Sequence, residues 1–150
     1  MRALHLVGRA IFGGFFLYNG INQLRNSKAM AQYAAAKGVP VAEQAVRASA
    51  ALLVGGGLSV LAGAKPRQGL AAIVAFLVPV TLQMHNFWDE SDPQQRQMEA
   101  IQFAKNAALV GAALMMLALD EPWPASVDEL RTEEEMYVRL GGRDLRALPA

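Results

Sequence analysis

The sequence predicts an all-α protein: a four-transmembrane-helix bundle followed by a short amphipathic C-terminal helix. Two observations carry this. Hydrophobic residues make up 53% of the 150-residue chain, with a mean hydropathy of +0.20. They are also gathered into four blocks, each near the roughly 20 residues needed to cross about 30 Å of hydrocarbon. The reading divides the chain into a membrane domain over 1–119 and a soluble tail over 120–150.

The first span is read over 3–24, interrupted by Arg9. A cleaved signal peptide is the rival. Its apolar core runs to about 7–15 residues and ends in a small-x-small site. This stretch is longer and ends in Asn22-Gln23-Leu24-Arg25, so it reads as a retained span. Ser27 then offers a cap for a short helix through Lys37, closed by Gly38 in a left-handed turn. Met30, Tyr33, Ala34 and Lys37 give that helix an amphipathic face suited to the membrane surface. Pro40 fits the first helical position of the second span, 41–62, which is charged only at Glu43 and Arg47.

Gly63 to Gln68 form a tight turn into the third span, 69–87, which contains Pro79. Asp89-Glu90-Ser91-Asp92-Pro93 ends it and starts a polar helix feeding the fourth span, 100–119, with Lys105 near its start. Small residues cluster at Gly13-Gly14, at 48–51, at Gly55-Gly56-Gly57 and at Ala112-Ala113. In lipid such residues let helix backbones approach closely, so a tightly packed bundle follows. After Leu119, Trp123 suits the membrane interface. Ser126-Val127-Asp128-Glu129 matches a capping box for a polar helix reaching about Leu140 and stopped by Gly141-Gly142. That helix is free to be solvated, to rest on the bundle or to meet a partner.

Charge and cysteine content exclude several functions. The net charge is +1 and the fourteen Lys and Arg are scattered, which speaks against nucleic-acid binding. With no cysteine, disulfides, thiolate metal sites, thiol redox chemistry and palmitoylation are excluded. Nucleophile motifs, a P-loop and a dinucleotide fingerprint are absent, and no catalytic residue is assigned. No metal site is expected, because the only other histidine, His5, falls at the far membrane face from His85. The basic turn at Lys65 and Arg67 and the mostly acidic stretch 89–99 place both termini in the cytoplasm by the positive-inside rule, although Arg25, Lys28 and Lys37 oppose it.

Four antiparallel spans bring their polar residues to one face. Asn19, Asn22 and Gln23 end the first span, and Glu43, Gln44 and Arg47 open the second. Gln83, His85, Asn86 and Trp88 end the third; Gln102, Lys105 and Asn106 open the fourth. Charged groups in hydrocarbon turn inward or snorkel. The candidate ligand-binding residues are Arg9, Asn22, His85, Trp88, Lys105 and Asn106. His85 is suited to proton exchange near neutral pH or to bonding a quinone carbonyl, and equally to an aromatic belt beside Phe87 and Trp88. Arg9 and Lys105 each also fit a structural or snorkelling role.

The pattern resembles the DoxX family of small four-helix membrane proteins over about residues 5–119. The resemblance rests on Gly8-Arg9, on Asn19-Gly20-Ile21-Asn22-Gln23-Leu24, and on Gly55-Gly56-Gly57-Leu58. His85, Phe87-Trp88 and Lys105-Asn106 complete it. It implies a bacterial inner-membrane protein. Some relatives are small subunits of quinone-linked oxidoreductases; others, in a eukaryotic branch, are cargo receptors or chaperones. Two departures stand out: Gln23 replaces a common Lys, and Leu52-Leu53-Val54 lacks an acidic residue common before the glycines. The expectation is an accessory subunit of a membrane oxidoreductase, not a stand-alone enzyme. It would have no cofactor of its own, a quinone or other lipophilic ligand, and a redox-enzyme partner. A non-catalytic assembly factor or chaperone, a lipid- or peptide-binding scaffold and a homo-oligomer remain the alternatives.

Overall fold

The computed structural model describes residues 2–139, which are all-α with no strand among them. Four long helices, α1 (Arg2–Arg25), α3 (Ala42–Ala62), α4 (Pro66–Met84) and α5 (Pro93–Leu117), make the bundle. The short α2 (Ser27–Ala36) joins α1 to α3, and α6 (Val127–Arg139) follows the bundle. Among the described residues, α3, α4 with its extension to Asp89, and α5 are long and apolar enough to cross a membrane. At 24 residues α1 has the length, while His5, Arg9 and Asn19 dilute its apolar character.

The faces of α1 show what surrounds it. Its buried residues are Arg9, Gly13, Phe16 and Gly20, spaced three or four apart. Leu4, Val7, Ile11, Phe15 and Tyr18 repeat at the same spacing on another face and are exposed. A five-residue apolar stripe left uncovered by the rest of the chain suits hydrocarbon or a second protein surface. On α5 only Glu99, Asn106 and Ala113 are buried, one per two turns, while Met98, Ile101, Leu114 and Met115 are exposed.

Packing runs laterally from α1 to α3, α3 to α4 and α4 to α5, with α2 against α3. Glycines set the two closest crossings. A Cβ on Gly56 would fall 2.8 Å from the Gly69 carbonyl oxygen, which places α3 directly on α4. The adjacent Gly57 does the same toward α1, so one doublet lets α3 touch both neighbours. Around these crossings Phe16, Leu53, Val60, Leu70, Ile73, Leu77 and Ala113 form the core.

Several expected boundaries move. Ser27 is the first residue of α2 rather than its cap, and Asn26 before it makes no side-chain cap bond. Pro40 precedes α3 instead of opening it, because Val41 adopts a left-handed φ of 49° and the helix starts at Ala42. Helix α4 stops at Met84, and a 3-10 turn over Phe87–Asp89 redirects the chain. The polar stretch and the fourth span form one continuous helix, α5, capped by Asp92, whose Oδ1 accepts from Gln95 N at 2.7 Å.

Trp123, expected to be exposed at the membrane interface, is instead buried in protein. It is 1% exposed, part of the core, and edge-on to His5 with ring centroids 5.2 Å apart. The segment around it is stitched to the bundle end, which buries the indole beneath it. The Ser126 hydroxyl accepts from Glu129 N at 3.0 Å, as a capping box requires, while Glu129 reaches back to the Ala125 N–H. The expected stop at Leu140 to Gly142 lies outside the described residues.

Candidate functional site

The bundle has two polar ends. The first gathers the start of α1, the α3–α4 turn and residues 119–129. Arg9, 7% exposed, donates to the Pro124 carbonyl at 3.3 Å and the Ala125 carbonyl at 2.9 Å. Asp128 accepts from Lys65 N at 2.7 Å, and its own N–H donates to the Gly63 carbonyl at 3.3 Å. Arg67 adds a donor bond to the Leu119 carbonyl at 3.3 Å. These contacts satisfy a buried guanidinium and the otherwise unpaired backbone groups at a helix turn.

The second end centres on Glu99. Its carboxylate is buried, and three elements bring partners to it. His85 Nδ1, just past α4, lies 2.7 Å from Oε2. Gln95 Nε2, one turn earlier on α5, donates to Oε1 at 3.0 Å. Lys37 Nζ, at the end of α2, stands 3.7 Å from Oε1. The Lys37 carbonyl in turn accepts from Gln83 Nε2 at 2.8 Å. A buried carboxylate persists when its oxygens are met in this way.

Beside this cluster, between α2, α3 and α4, lies a cavity of about 750 Å³. That volume falls within the range of small-molecule sites, about 300–1,000 Å³. Its wall is mainly apolar, with Met30, Val46, Leu52, Phe76 and Leu82 among the lining residues. The polar side chains on it are Gln23, Tyr33, Ser49 and Gln83. Gln23 donates to the Val46 carbonyl at 2.8 Å and to the Ser49 hydroxyl. Pro79 also lines the wall, and lacking an N–H it removes the helical donor for the Ala75 carbonyl.

The six candidate residues divide between these places. Arg9 belongs to the far end, and Asn22 ends α1 on the near face, where it accepts from Asn26 Nδ2 at 2.9 Å. Trp88, 50% exposed, stacks edgewise with Phe87 and Phe103 at 5.2 and 5.9 Å. Lys105 is exposed and pairs with Gln102, while Asn106 is buried two turns along α5 from Glu99. His85 alone joins the Glu99 cluster, and none of the six lines the cavity.

The DoxX family model matches residues 4–86, more than half of the chain. The chain belongs to the DoxX family. No curated protein and no solved structure matches it. The DoxX match covers α1 to α4 and ends at Asn86, so α5 and Glu99 lie beyond it. The carboxylate that holds His85 therefore comes from outside the DoxX-matched segment.

Glu99 and Lys37 were not legible as site residues from sequence. Glu99 lies in a stretch read as a polar lead-in. A signal was there: Gln95, Glu99 and Asn106 stand four and seven apart, on one helical face.

Proposed function

We propose that this DoxX family protein is an accessory subunit of an oxidoreductase in the bacterial inner membrane, holding a quinone or other lipophilic ligand. The observation that carries this is the apolar cavity of about 750 Å³ between α2, α3 and α4, next to the His85–Glu99–Lys37 cluster. An apolar chamber with few polar groups suits a ring or chain that partitions into lipid. Polar groups at its rim suit a headgroup that exchanges hydrogen bonds. Electrons reach such a ligand from a partner enzyme, and both termini face the cytoplasm in this reading.

The test is native purification in mild detergent, followed by mass spectrometry of the lipids, quinones and proteins retained. A stoichiometric quinone together with a redox enzyme supports the reading. A phospholipid in the cavity, with many unrelated client proteins and no redox enzyme, overturns it in favour of a lipid-binding scaffold or chaperone. The mainly apolar wall suits that second reading as well, because an acyl chain needs no polar partner.

A further inference from the structure

The partners of Glu99 decide which face of His85 is offered to a ligand. Oε1 accepts the Gln95 amide proton and faces the Lys37 ammonium at 3.7 Å. Oε2 lies 2.7 Å from His85 Nδ1. A carboxylate beside an ammonium and an amide donor is ionised, and an ionised carboxylate only accepts. The proton in the third contact therefore sits on His85 Nδ1. In a neutral imidazole the other nitrogen, Nε2, is then a bare lone pair.

Among the described residues nothing donates a hydrogen bond to that Nε2, and the His85 side chain is 22% exposed. His85 does not itself line the cavity; the dyad meets the rim through Lys37, which faces Glu99 and whose carbonyl accepts from Gln83 on the wall.

We infer that Glu99 is a positioning residue that holds His85 as a hydrogen-bond acceptor at Nε2, so that this site takes a lipophilic ligand through a hydroxyl group. Resting on the quinone reading above, this makes the reduced hydroquinone the preferred form. A hydroquinone hydroxyl supplies the proton that Nε2 lacks. A quinone carbonyl presents a second lone pair to the first. The selectivity comes from the tautomer, and the tautomer comes from a residue fourteen positions along the chain.

The experiment has two readouts on the purified full-length protein in detergent. Nitrogen NMR with selectively labelled histidine reports the tautomer without any ligand, the His5 signal being assigned with a His5→Gln variant. The expected wild-type result is a protonated Nδ1 on His85, with the population moving toward a protonated Nε2 in Glu99→Leu. Titration with a short-chain hydroquinone and its matching quinone reports selectivity. The wild type is expected to bind the reduced form about fivefold more tightly, the net worth of one hydrogen bond, and Glu99→Leu to lose that preference. Glu99→Gln is the fallback if the leucine variant does not fold; its amide can donate to Nδ1, so it too mixes the tautomers.

A wild-type His85 protonated at Nε2 overturns the inference, as does equal binding of both forms by the wild type. Equal binding leaves the quinone reading standing. Binding of neither form overturns the quinone reading and the ligand preference with it, while the NMR result alone still judges the role of Glu99.

Discussion

Gly13 and Gly57 face each other where α1 crosses α3. A Cβ built on Gly13 would lie 2.9 Å from the Gly57 carbonyl oxygen, and one on Gly57 would lie 2.8 Å from the Gly13 carbonyl oxygen. Contact at this range leaves no room for a methyl group against backbone that cannot swing away. Gly57→Ala is expected to destabilise the bundle by about 1–3 kcal/mol, the usual cost of overpacking. Gly55→Ala and Gly14→Ala meet nothing within 4 Å and are expected to be near neutral. Thermal unfolding in detergent, followed by circular dichroism, checks the contrast.

Trp123 closes the far end of the bundle, and Arg9 holds the segment that carries it. Trp123→Ala is expected to cost about 3–5 kcal/mol, as for other fully buried aromatic side chains. Arg9→Met removes the donors to the Pro124 and Ala125 carbonyls and is expected to cost about 1–3 kcal/mol. Limited proteolysis should show earlier cleavage within 119–129 in both variants. Wild-type protection in both would refute the docking of this segment.

Glu99 and Lys37 share one contact but are not equal partners. Glu99→Leu strands the His85, Gln95 and Lys37 donors, at an expected cost of about 1–3 kcal/mol. Lys37→Met leaves Glu99 with two of its three partners, and the lysine side chain is 24% exposed, so about 0–1 kcal/mol is expected. Chemical denaturation of both variants in the same detergent measures the difference.

The cavity predicts a variant that loses ligand without losing fold. Ala48 lines it and is exposed, so Ala48→Trp fills the chamber from an open wall. The variant should retain the wild-type melting temperature and lose bound quinone or lipid by mass spectrometry. Full retention of ligand would place the binding site elsewhere.

The proposed topology is checked with single cysteines, since the chain has none. Glu134→Cys on α6 and Gln32→Cys on α2 lie beyond opposite ends of the bundle. In intact bacterial cells a membrane-impermeant maleimide should label position 32 and reach position 134 only after permeabilisation. The reverse pattern would put both termini outside.

The sequence by itself determined the helices, because their causes are local. Four apolar blocks and the Ser126–Glu129 capping box act within a few residues of themselves. The grouped glycines announced close packing, and Gly8-Arg9 with the other short motifs announced the DoxX family. Tertiary structure decided the partners. Which neighbour Gly56 and Gly57 each admit depends on how α3 is rotated between α1 and α4. The burial of Trp123 depends on residues 119–129 folding back over the bundle, and an interfacial Trp reads the same in sequence. Glu99 reads as one more charge in an acidic stretch until His85 and Lys37 arrive from two other elements. A buried charge is defined by what surrounds it, and here those surroundings come from residues 14 and 62 positions away.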